Sequence, residues 1–247
     1  MSVASTAFER HLLVAVDAVG YGSGSDRAHI AVQAGLTGVL SKAAARSKLN
    51  RGAWRLQQQG DGELAILPHD QPEPIVVDEY VRHLAQALTA HNAKAAPESR
   101  IRLRMAIHYG AAMHADNGYA GQGVVAVSRL VDSLPVREAL TAAPGADLAV
   151  ILSRQVFEDI VRQGHVSFKA SDFTQVRVQV KEYTDEAWVI VLAERADRPA
   201  PLAPDAEPTA APQAREQAPQ QVNNRFYNDV HAEGAVFGFA YGSRDER

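Results

Sequence analysis

Apolar residues in this chain gather in short unbroken runs, and between the runs lie longer stretches in which they recur at helical spacing. His11 to Asp17 (HLLVAVD) is a run of the first kind and predicts a buried strand. Arg27 to Ser47 places Ile30, Ala34, Leu36, Val39 and Leu40 at helical intervals, so a strand, a glycine-rich loop and a helix open the domain. Trp54 to Gln59 and Glu63 to Leu67 flank Gly60-Asp61-Gly62, which is the pattern of a hairpin with Asp61 at its tip. Further on, Val76 to Asn92 reads as a second helix, Ile101 to Gly110 as a strand, Val124 to Leu134 as a third helix and Leu148 to Leu152 as another strand. Val176 to Lys181 and Ala187 to Leu192 then close the sheet as a hairpin. The order β-α-β-β-α-β with additions predicts an α+β fold with a ferredoxin-like core and an extra C-terminal hairpin.

Composition divides the chain. From Ala196 to Gln221 it shifts to Pro, Ala, Gln and Glu, with prolines at 199, 201, 204, 208, 212 and 219. Such a stretch is a linker. The globular domain is therefore expected over 7–195, the linker over 196–221 and a tail over 222–247. The tail is aromatic and glycine-rich, and its alternation through Val230, Ala232, Ala235, Phe237 and Phe239 suits strand addition to a sheet edge, self-association or a flexible end.

A formal net charge of -4 over 247 residues argues against a nucleic-acid partner, and the lack of cysteine removes disulfides, thiolate zinc sites and cysteine nucleophiles. The N-terminal run Met1 to Arg10 has no basic region followed by a long apolar stretch, and Leu12 to Val16 is too short to span a bilayer. A cytoplasmic, soluble protein is the expectation. The nine histidines show no zinc-binding spacing, and their scatter argues against a zinc enzyme.

Asp17 ends an apolar strand just before Gly20-Tyr21-Gly22, and pairing that strand with the hairpin brings Asp17 and Asp61 together. Two neighbouring carboxylates repel unless a cation lies between them, and hard oxygen donors suit Mg²⁺ or Mn²⁺. Glycines at 20 and 22, with Tyr21 between them, let backbone N–H groups approach a phosphate, and the helix that follows adds its positive end. A triphosphate held with two metals is the ligand this pattern suggests. Each aspartate alone has a local explanation, because Asp favours turns and caps.

Five landmarks in order carry more weight: VAVDAVGYG at 14–22, QQQGDGELAIL at 57–67, RMAIHYG at 104–110, GQGVVAVSRL at 121–130 and VKEYTDEAW at 180–188. In this order and spacing, over roughly residues 8–193, the chain resembles the class III adenylate and guanylate cyclase catalytic domain. The resemblance implies that Asp17 and Asp61, with the backbone carbonyl of Ala18, hold two Mg²⁺ or Mn²⁺ per active site. It implies that Arg129, supplied by the second subunit of a homodimer, contacts the departing pyrophosphate, and that Lys181 also binds phosphate. His108 and Arg104 match positions that shape the sheet beside the site and are expected to be structural.

The departures from that family concern base and sugar. Gln57 stands four residues before Asp61 where the family carries a base-selecting Lys or Glu, Val125 replaces the helix asparagine that orients the ribose, and Gly118 falls where an acidic or polar residue is usual. This combination resembles the compact pyrimidine cyclases of bacterial antiphage Pycsar systems, whose cyclic UMP or cyclic CMP is read by a separate effector protein. Strand alternation puts Arg55 on the side of Gln57 and Trp54 on the other, so Arg55 and Gln57 are the expected base contacts, with UTP ahead of CTP. Cytidylate, adenylate or guanylate cyclisation, or nucleotide binding without turnover, are the alternatives.

Overall fold

The structure, a computed structural model, describes residues 9–20, 26–59, 61–115 and 118–193, with the backbone alone at 26–28, 59 and 98. The chain divides into two units, Met1–Arg198 and Pro199–Arg247. The linker and tail expected after residue 195 lie outside the described residues.

In chain order the elements are β1 (Arg10–Ala18), α1 (Asp26–Arg46), β2 (Arg55–Gln59), β3 (Gly62–Ile66), α2 (Val81–Asn92), β4 (Leu103–Ala111), β5 (Met113–Ala115), β6 (Gly118–Ala120), α3 (Gln122–Val131), α4 (Leu134–Ala142), β7 (Ala146–Ser153), β8 (Thr174–Val180) and β9 (Tyr183–Ala193). Seven strands form one sheet in the order β2-β3-β1-β4-β7-β9-β8, and β5 and β6 form a separate small hairpin. β4 and β7 are parallel, and the other neighbours in the large sheet are antiparallel.

Alternation along β1 sends Leu12, Val14 and Val16 to one face, under α1, α2 and the helical turns Arg154–Val156 and Phe157–Val161. Leu13 and Ala15 go to the other face, under α3 and α4. A strand covered on both faces has no polar side to show, which is why β1 reads as a continuous apolar run. Burying a Leu or Val side chain contributes about 1.5–3 kcal/mol, so this strand anchors the domain. Helix α3 lies tight against it, since a Cβ on Gly123 would fall 2.7 Å from the Ala111 carbonyl oxygen and 2.7 Å from Leu13 Cδ1. Among the described residues no helix is long and apolar enough to cross a membrane.

Two helices stand where one was expected over Val124–Leu134. α3 stops at Val131, Ser133 is extended at φ -69 and ψ 150, and α4 restarts with Pro135 in its first turn. A proline there loses no helical hydrogen bond. The apolar sequence runs on across the break because Val131 closes one helix while Val136 and Leu140 belong to the next, all three in the same core. The second helix likewise begins differently from the expectation, with Glu73–Ile75 and a wider π-type turn at Val76–Tyr80 preceding α2.

His108 lies on β4 opposite Leu13, with Nδ1 buried and no hydrogen-bond partner among the described residues. Burial, and then the charge of Arg10, lower its pKa from 6.5 to about 4. A folded-state pKa below the unfolded one gives stability that is present above 6.5 and is lost as pH falls from there through about 4. Thermal melts across that window should fall with acidification by up to about 1.4 kcal/mol per pH unit for one proton. In His108→Gln the decline should be shallower; an unchanged slope would assign the acid sensitivity to other groups.

Candidate active site

Asp17 is the second-last residue of β1, and its partner in the register with β3 is Gly62, so Asp61 at the β2–β3 tip stands beside it. The Ala18 N–H donates to the Asp61 carbonyl oxygen at 3.2 Å and the Val19 N–H to the Arg102 carbonyl oxygen at 2.9 Å. These two bonds pin the chain leaving β1 between the hairpin tip and β4. Gly20 follows with φ +83, a left-handed turn that glycine adopts without steric cost. Tyr21 and Gly22, the rest of the expected phosphate loop, lie outside the described residues.

The Asp17 carboxyl is half-buried, and burial raises its pKa above the ordinary 3.8. The hydrogen bond and charge of Arg104 pull it back, while the negative charges of Asp61 and Asp132 push it further up. Asp17 and Asp132 each pair with a guanidinium, Arg104 and Arg137, and Asp61 adds a third carboxylate beside Asp17, so added positive charge between Asp17 and Asp61 is stabilised.

Arg104, expected only to shape the sheet, donates from Nη2 to Asp17 Oδ2. The pairing follows from the register, because Asp17 and Arg104 are direct cross-strand partners in β1 and β4. Its Nε is buried without a partner among the described residues, as is Nε of Arg129. Arg104 also lines a cleft of about 290 Å³ with Val19, Gly20, Arg102 and Arg137. Arg102 is spent on the carbonyls of Leu140, Ala143 and Ala146 at 2.7 to 2.9 Å, and Arg137 pairs with Asp132.

The β2–β3 hairpin beneath Asp61 is clamped from the opposite face. Glu63, only 4% exposed, accepts from Arg51 Nη2 at 2.8 and 2.7 Å and from Gln58 Nε2 at 2.9 Å. The Arg51 guanidinium stacks over Trp54, 5.5 Å from its ring centroid. Trp54 itself is core, edge-on to Tyr80 at 5.5 Å, and so stands away from Gln57. Arg55 is exposed on β2.

Gln57 and Gly118, read from the sequence as two separate departures, form one contact. The Tyr119 backbone N–H donates to Gln57 Oε1 at 3.1 Å, and a Cβ on Gly118 would lie 2.5 Å from that same oxygen. Gly118 is at φ +110, where a side chain is strained in any case. With its oxygen engaged, the Gln57 amide offers its NH₂ as donor. Gly118→Ala should therefore lower stability by about 1–2 kcal/mol, or roughly 2–8 °C in melting temperature, and displace Gln57. A variant with unaltered melting temperature would show that the contact constrains nothing.

Arg129 is half-buried on α3, one turn after exposed Val125 and within the last turn of the helix, which ends at Val131. Lys181 is elsewhere. It occupies the two-residue turn between Val180 and Tyr183, exposed and left-handed at φ 53. β1 ends at Ala18 beside the start of β4, β7 runs parallel to β4, and β9 starts beyond the end of β7. Lys181 therefore sits at the opposite end of the sheet from Asp17 and joins its other edge. Within one chain the aspartates, Ala18 and Gly20 come together, and Lys181 does not join them.

No family model matches the sequence, and no curated protein matches it. Among solved structures the chain is similar to the guanylyl cyclase Cya2, with a TM-score of 0.53 and 13% identity over 75% of this chain and 92% of that one. It is also similar to an adenylate/guanylate cyclase/hydrolase from Silicibacter pomeroyi, with a TM-score of 0.51 and 19% identity over 75% of this chain and 99% of that one. The likeness at these identities is one of fold: the described residues have the fold of adenylate and guanylate cyclase catalytic domains.

Proposed function

We propose that this chain is a class III nucleotidyl cyclase that converts a nucleoside triphosphate, UTP foremost, to its 3′,5′-cyclic monophosphate and pyrophosphate. The observation that carries the reading is the juxtaposition of Asp17 and Asp61 at one end of the central sheet of a cyclase fold. The donor set fits Mg²⁺ or Mn²⁺, two per site, because hard carboxylate oxygens, the Ala18 carbonyl and the mutual repulsion of Asp17 and Asp61 favour such ions. When bound, they supply Lewis acidity toward the ribose 3′-hydroxyl and the α-phosphate.

The chain's own residues hold and orient the substrate. Asp17 and Asp61 fix the reacting end, the Gly20 turn and Arg104 face the phosphates, and the half-buried guanidinium of Arg129, supplied by the second copy, neutralises charge on the leaving pyrophosphate. The 3′-oxygen attacks the α-phosphorus as the bond to pyrophosphate breaks. Lys181 serves the site of a second copy, in a homodimer whose two sites are shared, since it stands far from the aspartates of its own chain. The exposed Arg55 and the NH₂ of Gln57 both present donors, which meet the carbonyls of uracil better than the amino group of cytosine. The cyclic nucleotide would act as a signal read by a separate effector, as in antiphage defence.

Supplying ATP, GTP, CTP and UTP separately with Mg²⁺ or Mn²⁺ and identifying products by mass spectrometry tests both levels. Cyclic UMP should form fastest. Faster cyclic AMP or cyclic GMP overturns the pyrimidine preference, and no cyclic product from any triphosphate overturns the cyclase reading.

A further inference from the structure

Histidines that look scattered in the sequence are partly gathered by the fold. β1 begins beside the segment that follows β3, and this brings Glu9, His11 and His69 together, with one ligand atom of each within 4.8 Å of the others. His11 Nε2 lies 3.3 Å from Glu9 Oε2. That is the edge of a tetrahedron about 3.3 Å across, as expected for zinc–nitrogen and zinc–oxygen bonds of about 2.0–2.1 Å.

Both imidazoles are already fixed by their other nitrogen. His11 Nδ1 is 3.1 Å from the Leu67 carbonyl oxygen, and His69 Nε2 is 2.8 Å from the Arg10 carbonyl oxygen. A carbonyl accepts only, so each of these nitrogens carries its proton, and in the neutral rings His69 Nδ1 and His11 Nε2, the latter against the Glu9 carboxylate, are the lone-pair donors a cation between them would use. Holding the second ring N–H on a backbone carbonyl is how metal-binding histidines are oriented. The two rings are 4.5 Å apart between centroids. His11 is 5% exposed and preorganised by the core, whereas Glu9 and His69 are exposed and leave the site open to solvent. The intervening cation, Arg10, is directed away, over the Tyr109 ring and to Gln155.

We propose that Glu9, His11 and His69 form a second metal site, distinct from the aspartate pair and selective for a borderline transition-metal ion, Zn²⁺ foremost. Two imidazoles and a carboxylate are the wrong donors for Mg²⁺ and the right ones for zinc, with three protein ligands and a fourth position for water. Asp17 lies near the other end of β1, so the two sites draw on different elements and different ligand chemistry. A bound ion would staple the first residues of β1 to the segment after β3.

The test uses the full chain with Co²⁺ as spectroscopic probe and Zn²⁺ as competitor. The intense visible bands of four-coordinate Co²⁺ should appear in the wild type, bleach on adding Zn²⁺, and persist in an Asp17→Asn, Asp61→Ala double variant. His69→Ala and Glu9→Gln, both at exposed positions, should weaken Co²⁺ binding by more than about 100-fold, beyond the loss usual for outer-shell changes. Zn²⁺ should raise the melting temperature of the wild type and not of His69→Ala. Weak six-coordinate bands only, as from a plain imidazole–carboxylate contact, would overturn the proposal. So would binding that survives His69→Ala or disappears in the double aspartate variant.

Discussion

Asp17→Asn and Asp61→Ala should each lose cyclase activity by about 10³-fold or more, because each deletes a ligand whose ion contributes several kcal/mol to the transition state. The fold should survive both. Asp61→Ala removes a like charge beside a carboxyl already raised by burial, so its melting temperature should hold or rise. Asn is the better replacement at 17, since Ala would leave the Arg104 guanidinium, 12% exposed, without its acceptor. Full turnover by either variant would mean that the pair is not the metal site. The same variants report on sharing between subunits. Asp61→Ala mixed with an equal amount of Lys181→Ala should recover about a quarter of wild-type activity, since half the dimers are mixed and each holds one intact site. Arg129→Ala should behave in the same way. Recovery with Lys181→Ala alone would place Arg129 in the site of its own chain, and no recovery with either, despite subunit exchange, would sink the shared arrangement.

Glu63→Ala should cost about 3–5 kcal/mol, because it strands Arg51, 11% exposed, next to the core with no carboxylate to face. Urea unfolding with an unchanged slope would read this as a lower midpoint. Activity should fall as well, since Glu63 ties Arg51 and Gln58 to the strand that carries Asp61 at its head. Replacing both partners by apolar residues, Arg51→Met with Glu63→Met, should restore most of the stability, as removing a buried pair whole costs far less than halving it. If Glu63→Ala melts like the wild type, the ion pair contributes nothing and the hairpin is held by its backbone ladder alone.

The central strands were legible because β1, β3 and β7 are dense apolar runs between glycine or polar breaks, and the adjacency of Asp17 and Asp61 followed from pairing β1 with the hairpin marked by Gly60-Asp61-Gly62. Where the sequence misled, apolar residues ran through a break in structure. At Val131 to Val136 the hydrophobic pattern is continuous while the backbone turns at Ser133, and the better signal was Pro135. The short hairpin of β5 and β6 has too few residues to show a period. Contacts set by register across distant segments were beyond reach: Arg104 meets Asp17 across 87 residues of chain, and Tyr119 meets Gln57 across 62. The grouping of His11 with His69 is of the same kind. It depends on where β1 starts relative to the end of β3, which periodicity leaves undetermined.

The separation of Lys181 from the aspartates bears on how output would scale with abundance. If a second copy must complete each site, diluting the protein below its dissociation constant should lower the rate per molecule, and at low concentration total output should rise with the square of the amount present. A cell holding few copies would then be nearly silent, and a modest rise in expression or local crowding of the chain would switch signal production on steeply, without any further control element.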